Sequence, residues 1–214
     1  MTTGSGQRPS IDRARAGLKQ ERAVRTRGQV LDAAAQAFAA KGFPAVTMVD
    51  IAELAGMTKG AVYFHYANKE ALAVAVAEEF YERLPVIADS VRDRALPPLE
   101  SVAELLTRTA TAFRDDTMIQ AGARLQIERS LIDVSLPVPY VTFGDLVASW
   151  LQEAREAGDL ASGTDPDAVA RVLISAFFGA QHMSWVLSDR ADIAERVDEI
   201  LAVVLGAARD RQVS

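Results

Sequence analysis

The chain has 214 residues, half of them apolar, with 23 Lys and Arg against 29 Asp and Glu for a net charge of −6. That is long and apolar enough to bury a core without cross-links, and it excludes a disordered or fibrous chain. With no Cys and two His, a disulfide framework, thiolate metal sites, thiol catalysis and a multi-His zinc centre fall away.

Residues 1–19 hold Gly4, Gly6, Pro9 and Gly17 among polar side chains with no apolar period. They read as a flexible arm. From Glu21 to Lys41 the residues Val30, Ala34, Ala37 and Phe38 recur at i, i+4, i+7 and i+8, an amphipathic helix stopped by Gly42. Thr47 opens a short helix with Asp50 three residues on, a capping-box spacing, and Gly56 ends it. Thr58 caps a second short helix through Tyr66. Asn68 caps a longer one that is expected to break at Pro85, near Leu84. Further helices are expected from Pro97–Pro98 to about Arg114, over about Met118–Ile132, from about Tyr140 to Glu156, from Asp165–Pro166 to about Leu187, and over about Asp192–Arg209. No alternating strand pattern and no repeat is legible. The fold class is all-α with about nine helices, divided as arm 1–19, a helix-turn-helix DNA-binding domain over 20–67, and a ligand-binding and dimerisation domain over 68–214.

Two short helices joined by Ala55–Gly56–Met57 make a helix-turn-helix plan, with Ala52 small enough for close packing and Val62 facing the core. The second helix would then enter the major groove. Candidate DNA contacts are Thr47, Thr58, Lys59, Gly60, Tyr63, His65 and Lys69. They offer hydroxyl, imidazole and ammonium donors for phosphates and base edges, and a glycine where backbone can approach. Charge agrees: residues 1–70 carry ten basic and six acidic side chains, and the remainder thirteen and twenty-three. A polyanion is therefore expected at the N-terminal third.

In the remainder, polar residues inside apolar periods are candidates for a ligand pocket. They are Tyr81, Arg124, Gln126 and Tyr140, with Phe143, Trp150 and Trp185 as pocket wall or ordinary core. Arg124 is either a carboxylate partner or an i+4 mate of Glu128. His182, alone in an apolar run, reads as a buried or interface residue. Nothing supplies a nucleophile–base pair or a phosphate loop, so no enzyme activity, cofactor or metal is expected.

The stretches ERAVRTRGQVLDAAAQAFAAKGF and TMVDIAELAGMTKGAVYFHYANKEAL resemble the DNA-binding domain of the TetR family of transcriptional regulators. TKGAVYFHY is typical of its γ-butyrolactone-type autoregulator receptors, and QAGARLQIERSLID, LPVPY and LQEAREAGDL are similar to the furan receptors of that branch. The resemblance implies a homodimeric repressor that holds a pseudo-palindromic double-stranded operator until a small signal of furan, butyrolactone or butenolide type releases it; the composition, with no Cys, no apolar run near the roughly 18 residues of a membrane helix and no signal-peptide stretch, sets the expectation of a cytoplasmic protein without a membrane partner. An antibiotic or pathway intermediate is the alternative signal. It further implies that Tyr81, Gln126 and Tyr140 bind the signal's carboxylate and hydroxymethyl groups, and that the last two helices form the dimer contact. Phe143 stands where such receptors commonly carry Trp, so an indole N–H is missing there.

Overall fold

A computed structural model describes residues 9–138 and 141–209, without the side chains of residues 9–16 and 19. Among the described residues there are nine α-helices and one 3-10 turn, and no strand. The helices are α1 (Pro9–Lys41), α2 (Met48–Leu54), α3 (Lys59–His65), α4 (Lys69–Arg92), α5 (Pro98–Asp115), α6 (Thr117–Ile127), α7 (Val141–Ala157), α8 (Pro166–Ser188) and α9 (Ile193–Arg209). The 3-10 turn covers Arg129–Leu131. The all-α reading and the helix count hold.

The cap chemistry explains the short helices. The Thr47 hydroxyl accepts from the Asp50 amide while the Asp50 carboxylate accepts from the Thr47 amide, a complete capping box. The Lys41 ammonium, 2.6 Å from Asp50, is the main cause holding that carboxyl well below the usual carboxylate range, and Thr47 adds to it. Thr58 caps α3 through the Ala61 amide, and Asn68 caps α4 through the Ala71 amide. Gly56, at φ +64°, supplies the left-handed turn between α2 and α3.

Three boundaries differ from expectation. First, α1 begins at Pro9, so the reading of residues 9–19 as arm is corrected; residues 1–8 lie outside the described residues. The extension is rich in straight-chain helix formers, and Leu18 and Val24 are exposed. Apolar periodicity therefore carries no signal there. Second, α4 runs through Pro85 to Arg92. Proline removes one intrahelical donor, but Leu84, Ala88 and Val91 are buried on either side of it, and this burial outweighs the lost bond. Third, α6 stops at Ile127 and gives way to the 3-10 turn.

Two apolar cores result. One gathers α1, α2, α3, the first half of α4 and one face of α6, around Phe38, Ile51, Val62 and Leu72. The other gathers the second half of α4 with α5, α7, α8, α9 and the other face of α6, around Phe80, Phe113, Leu151 and Phe177. Thus α4 and α6 belong to both. They meet at Gly122, where a Cβ would lie 2.3 Å from Phe80 Cβ, so glycine is what allows the approach.

A candidate DNA-reading face and a two-chambered ligand site

The α2–α3 pair rests on α1, with Ala52 and Val62 buried as its inner contacts. The outer face of α3 carries most of the expected DNA contacts. Lys59 is exposed with its ammonium 5.6 Å from the Tyr63 ring centre. Thr58 is exposed, its oxygen capping the helix and its hydroxyl proton free to donate outward. Gly60 is exposed, and a Cβ there would meet nothing within 4 Å, so packing inside the chain does not require glycine. Tyr63 is exposed and His65 half-buried. Thr47 is exposed but committed to its capping box. Lys69 turns inward, donating to the Phe43 carbonyl at 2.8 Å over that ring. An ammonium has two further protons for a phosphate. The sequence reading passed over Phe64, which is 83% exposed beside His65. An aromatic that bare on the outer face of a helix-turn-helix is suited to a thymine methyl, and its apolar type alone suggested core.

The second core is hollow. A cavity of about 550 Å³ lies among α4, the connector before α7 and α7 itself, lined by Phe80, Tyr81, Leu84, Pro85, Phe143 and Phe178 among others. A smaller chamber of about 200 Å³ adjoins it, lined by Phe80, Ala123, Gln126, Ile127, Phe178, Gln181 and His182. Phe80 and Phe178 line both. Tyr81 and Phe143 therefore fall in the large chamber and Gln126 in the small one, as separate polar and aromatic positions. Phe143 stacks its ring 6.3 Å from those of Phe177 and Phe178. Tyr140 lies outside the described residues. Trp150 belongs to the core, 6.0 Å from the Arg92 guanidinium.

Arg124 is the correction. It lines neither chamber. Its guanidinium donates to Glu128 at 2.9 Å and to the Ala39 carbonyl at 2.9 Å, and lies 5.0 Å from the Trp185 ring centre. Glu128 in turn accepts from the Phe43 amide at 2.6 Å. The pair clamps the C-terminal end of α1, and Gly42 at φ +79° leaves room for it: a Cβ there would meet Glu128 Oε1 at 2.4 Å. Sequence spacing offered Glu128 as a mate, but not Ala39 on α1 and Phe43 just beyond it, each 85 residues from its partner. His182 is likewise exposed and edge-on to Trp185 at 5.8 Å, so the buried reading is corrected. The chamber residues Gln181 and Phe178 were not singled out from the sequence, although Gln181 is a polar residue inside an apolar run.

Two family models match the chain. Residues 30–76 match the model of bacterial regulatory proteins of the tetR family, and residues 97–208 match the tetracyclin repressor-like C-terminal domain. The chain belongs to the TetR family. TetR-family regulators bind DNA operators and small-molecule ligands, are typically dimers, and are not enzymes. The A-factor receptor protein of Streptomyces griseus is 33% identical over 187 residues, 87% of this chain, and the chain spans 65% of its length. A solved structure described as the molecular basis for control of antibiotic production by bacterial hormones is 52% identical, covering 87% of this chain and 98% of its own, at a TM-score of 0.80. A γ-butyrolactone receptor (ArpA-like protein) is 28% identical, covering 84% and 97%, at a TM-score of 0.67. Among the described residues no helix is long and apolar enough to cross a membrane.

Proposed function

We propose that this TetR-family regulator is a cytoplasmic, signal-released repressor. A homodimer would hold a pseudo-palindromic operator with two copies of α3, and a small furan, butyrolactone or butenolide signal would enter the two chambers and favour a conformation that releases DNA. Residues 20–67 would serve DNA and 68–214 signal and dimer contact, with the first half of α4 and one face of α6 packed into the N-terminal core. The observation that carries the reading is the double membership of α4 and α6. The helix that begins at Lys69, beside α3, also supplies Phe80, Tyr81 and Leu84 to the cavities, so a shift at the ligand end is transmitted along a rigid rod.

The dimer contact rests on an unpartnered apolar face. Val172, Met183, Val186 and Leu187 on α8 are all more than half exposed, as is Val203 on α9. Gly179 lies on the same α8 face with open space beyond it, which allows close helix approach. Ala180, in contrast, is buried within the chain. Such a face is costly to leave in water.

The test is a gel-shift titration on a palindromic duplex, repeated with a panel of alkylfuran, butyrolactone and butenolide compounds. Release by one class supports the reading. Specific DNA binding with release by none overturns the signal class and leaves the DNA-binding role standing.

A further inference from the structure

A third hollow lies outside the signal chambers, where α1, the start of α6 and the corner after α8 meet. It is an open cleft of about 340 Å³ lined by Gln36, Thr117, Gln120, Trp185, Asp189 and Arg190 among others, and it shares no lining residue with either chamber. Arg190 is its unusual member. The residue is 5% exposed, and a guanidinium carries five donors and no acceptor. Its Nε is sealed in the protein without a partner. Nη1 has the Asp189 carboxylate at 3.5 Å, longer than the roughly 2.7–2.9 Å of a charged hydrogen bond, and that carboxylate is 94% exposed. Among the described residues no hydrogen bond engages Nη1 or Nη2, and neither is sealed as Nε is. The outer edge of the fork is therefore the part open to the cleft.

Trp185 steadies the guanidinium, with its ring centre 5.2 Å away. Burial pushes Arg190 below the ordinary arginine range, Asp189 works against this, and the like charge of Arg124 adds to it. Arg124 itself is paired with Glu128. A buried guanidinium is normally matched by a carboxylate in full contact. This one has no such match, and an anion from outside the chain would supply it. The setting favours one. The cleft reaches the first turn of α6, where amides and the helix dipole attract negative charge. Asp116, which caps that turn, is paired with Arg83 at 2.6 Å. Thr117 on α6 and Gln36 on α1 are exposed and can donate from two walls.

We propose that this cleft is a second effector site, in which the Arg190 fork takes a small phosphate-type oxyanion. A guanidinium fork matches phosphate oxygens two at a time, and the cleft has room for free phosphate or for phosphate carried on a small metabolite. Gln36 lies on α1 and Arg190 between α8 and α9, so a bound anion would tie the DNA-binding block to the corner of the ligand-binding block.

The test is thermal unfolding of the full-length protein in chloride and in potassium phosphate at equal ionic strength. Phosphate also stabilises proteins generally by exclusion from their surface, an effect that does not saturate and is the same in every variant. Above it, the wild type is expected to show a saturable rise of about 2–4 °C once phosphate exceeds its dissociation constant several-fold. Arg190→Met, which keeps the stem against Trp185 and loses the fork, is expected to lose that rise. Asp189→Asn removes the competing carboxylate at an exposed position whose left-handed backbone suits Asn. It is expected to bind phosphate several-fold more tightly, and it serves also if the Met variant does not fold. Calorimetry with glycerol phosphate separates the two sources: tighter binding than inorganic phosphate supports a phosphorylated metabolite, equal or weaker binding supports free phosphate. A wild type without a saturable rise overturns the proposal. So does a rise that persists in Arg190→Met, or an affinity that Asp189→Asn leaves unchanged.

Discussion

The two cores of this protein differ in their proportion of small and ring side chains, and the difference bears on why the second is hollow. The N-terminal core holds eight alanines, Ala33, Ala34, Ala35, Ala37, Ala52, Ala73, Ala77 and Ala121, among its 22 buried residues. Small side chains let helix backbones approach until few gaps remain. The result is a stiff block whose variable chemistry sits outside, on Thr58, Lys59 and Tyr63. The C-terminal core holds seven alanines among its 26 buried residues and adds a cluster of rings. Phe80, Phe113, Phe143, Phe177 and Phe178 meet mostly edge-to-face at 5.2–6.4 Å, a geometry set by ring quadrupoles. Large plates held at such angles leave space beside them: Phe80 and Phe178 line both chambers, and Phe143 lines the larger. A regulator needs both textures: a rigid reader that keeps its spacing, and a receiver that a small molecule can enter.

The comparison breaks most visibly by emptying the ring core. Phe113 is fully buried and touches the rings of Phe80, Phe177 and Phe178. Phe113→Ala is expected to cost about 3–5 kcal/mol, since little around it can collapse further. Thermal or urea unfolding reads this directly, and a loss below about 1 kcal/mol would show that the ring core is already loose. Overfilling comes next. In Gly122→Ala the new Cβ has no room against Phe80, the ring between the chambers, so a loss of about 1–3 kcal/mol is expected. Phe80 must also move, so signal binding should weaken while DNA affinity without signal is retained. Equal loss of both would make α6 a plain structural support. The reader face responds differently again. Lys59→Ala removes a side chain whose recorded contact is the Tyr63 ring, so stability should not change. Operator affinity should fall about tenfold, and the salt dependence should lose about one counterion if Lys59 meets a phosphate. Unchanged affinity would remove Lys59 from the interface.

Much of the fold was legible because it is written in local chemistry. Thr47 with Asp50, Gly56, Thr58 and Asn68 each act within four residues, and each does in the structure what its spacing implies. What was not legible acts at a distance. The start of α1 carries no apolar period to announce it. Pro85 reads as a helix end until Ala88 and Val91 are seen buried beyond it. Arg124 and Gln126 lie two residues apart on one helix, and sequence treats them alike, yet one faces α1 and the other the small chamber. Their opposite directions follow from helix geometry; which direction holds the ligand depends on what packs there. Phe64 and Val62 pose the same problem on α3, where one is bare and the other fully buried.

The smallest effect concerns the junction of α8 and α9, where the proposed dimer face turns its corner. Asp189 and Arg190 adopt left-handed backbone there, at φ 48° and 68°, and Asp192 gathers the corner together. Its carboxylate accepts from Arg196 on α9 and from Ser184 and Ser188 on α8. The Arg196 guanidinium first, then the two serine hydroxyls, hold its carboxyl well below the usual carboxylate range. A group whose folded pKa is depressed stabilises the fold above its unfolded value, near 4, and that contribution is lost as pH falls toward the folded value. Asp192→Asn should therefore lower the melting temperature slightly at pH 7. The gap between variant and wild type should narrow as pH falls below about 4. The site is solvent-screened, so the shift is modest. A gap that stays constant down to pH 2 would mean that the amide replaces the carboxylate only in shape, and that charge at this corner contributes nothing.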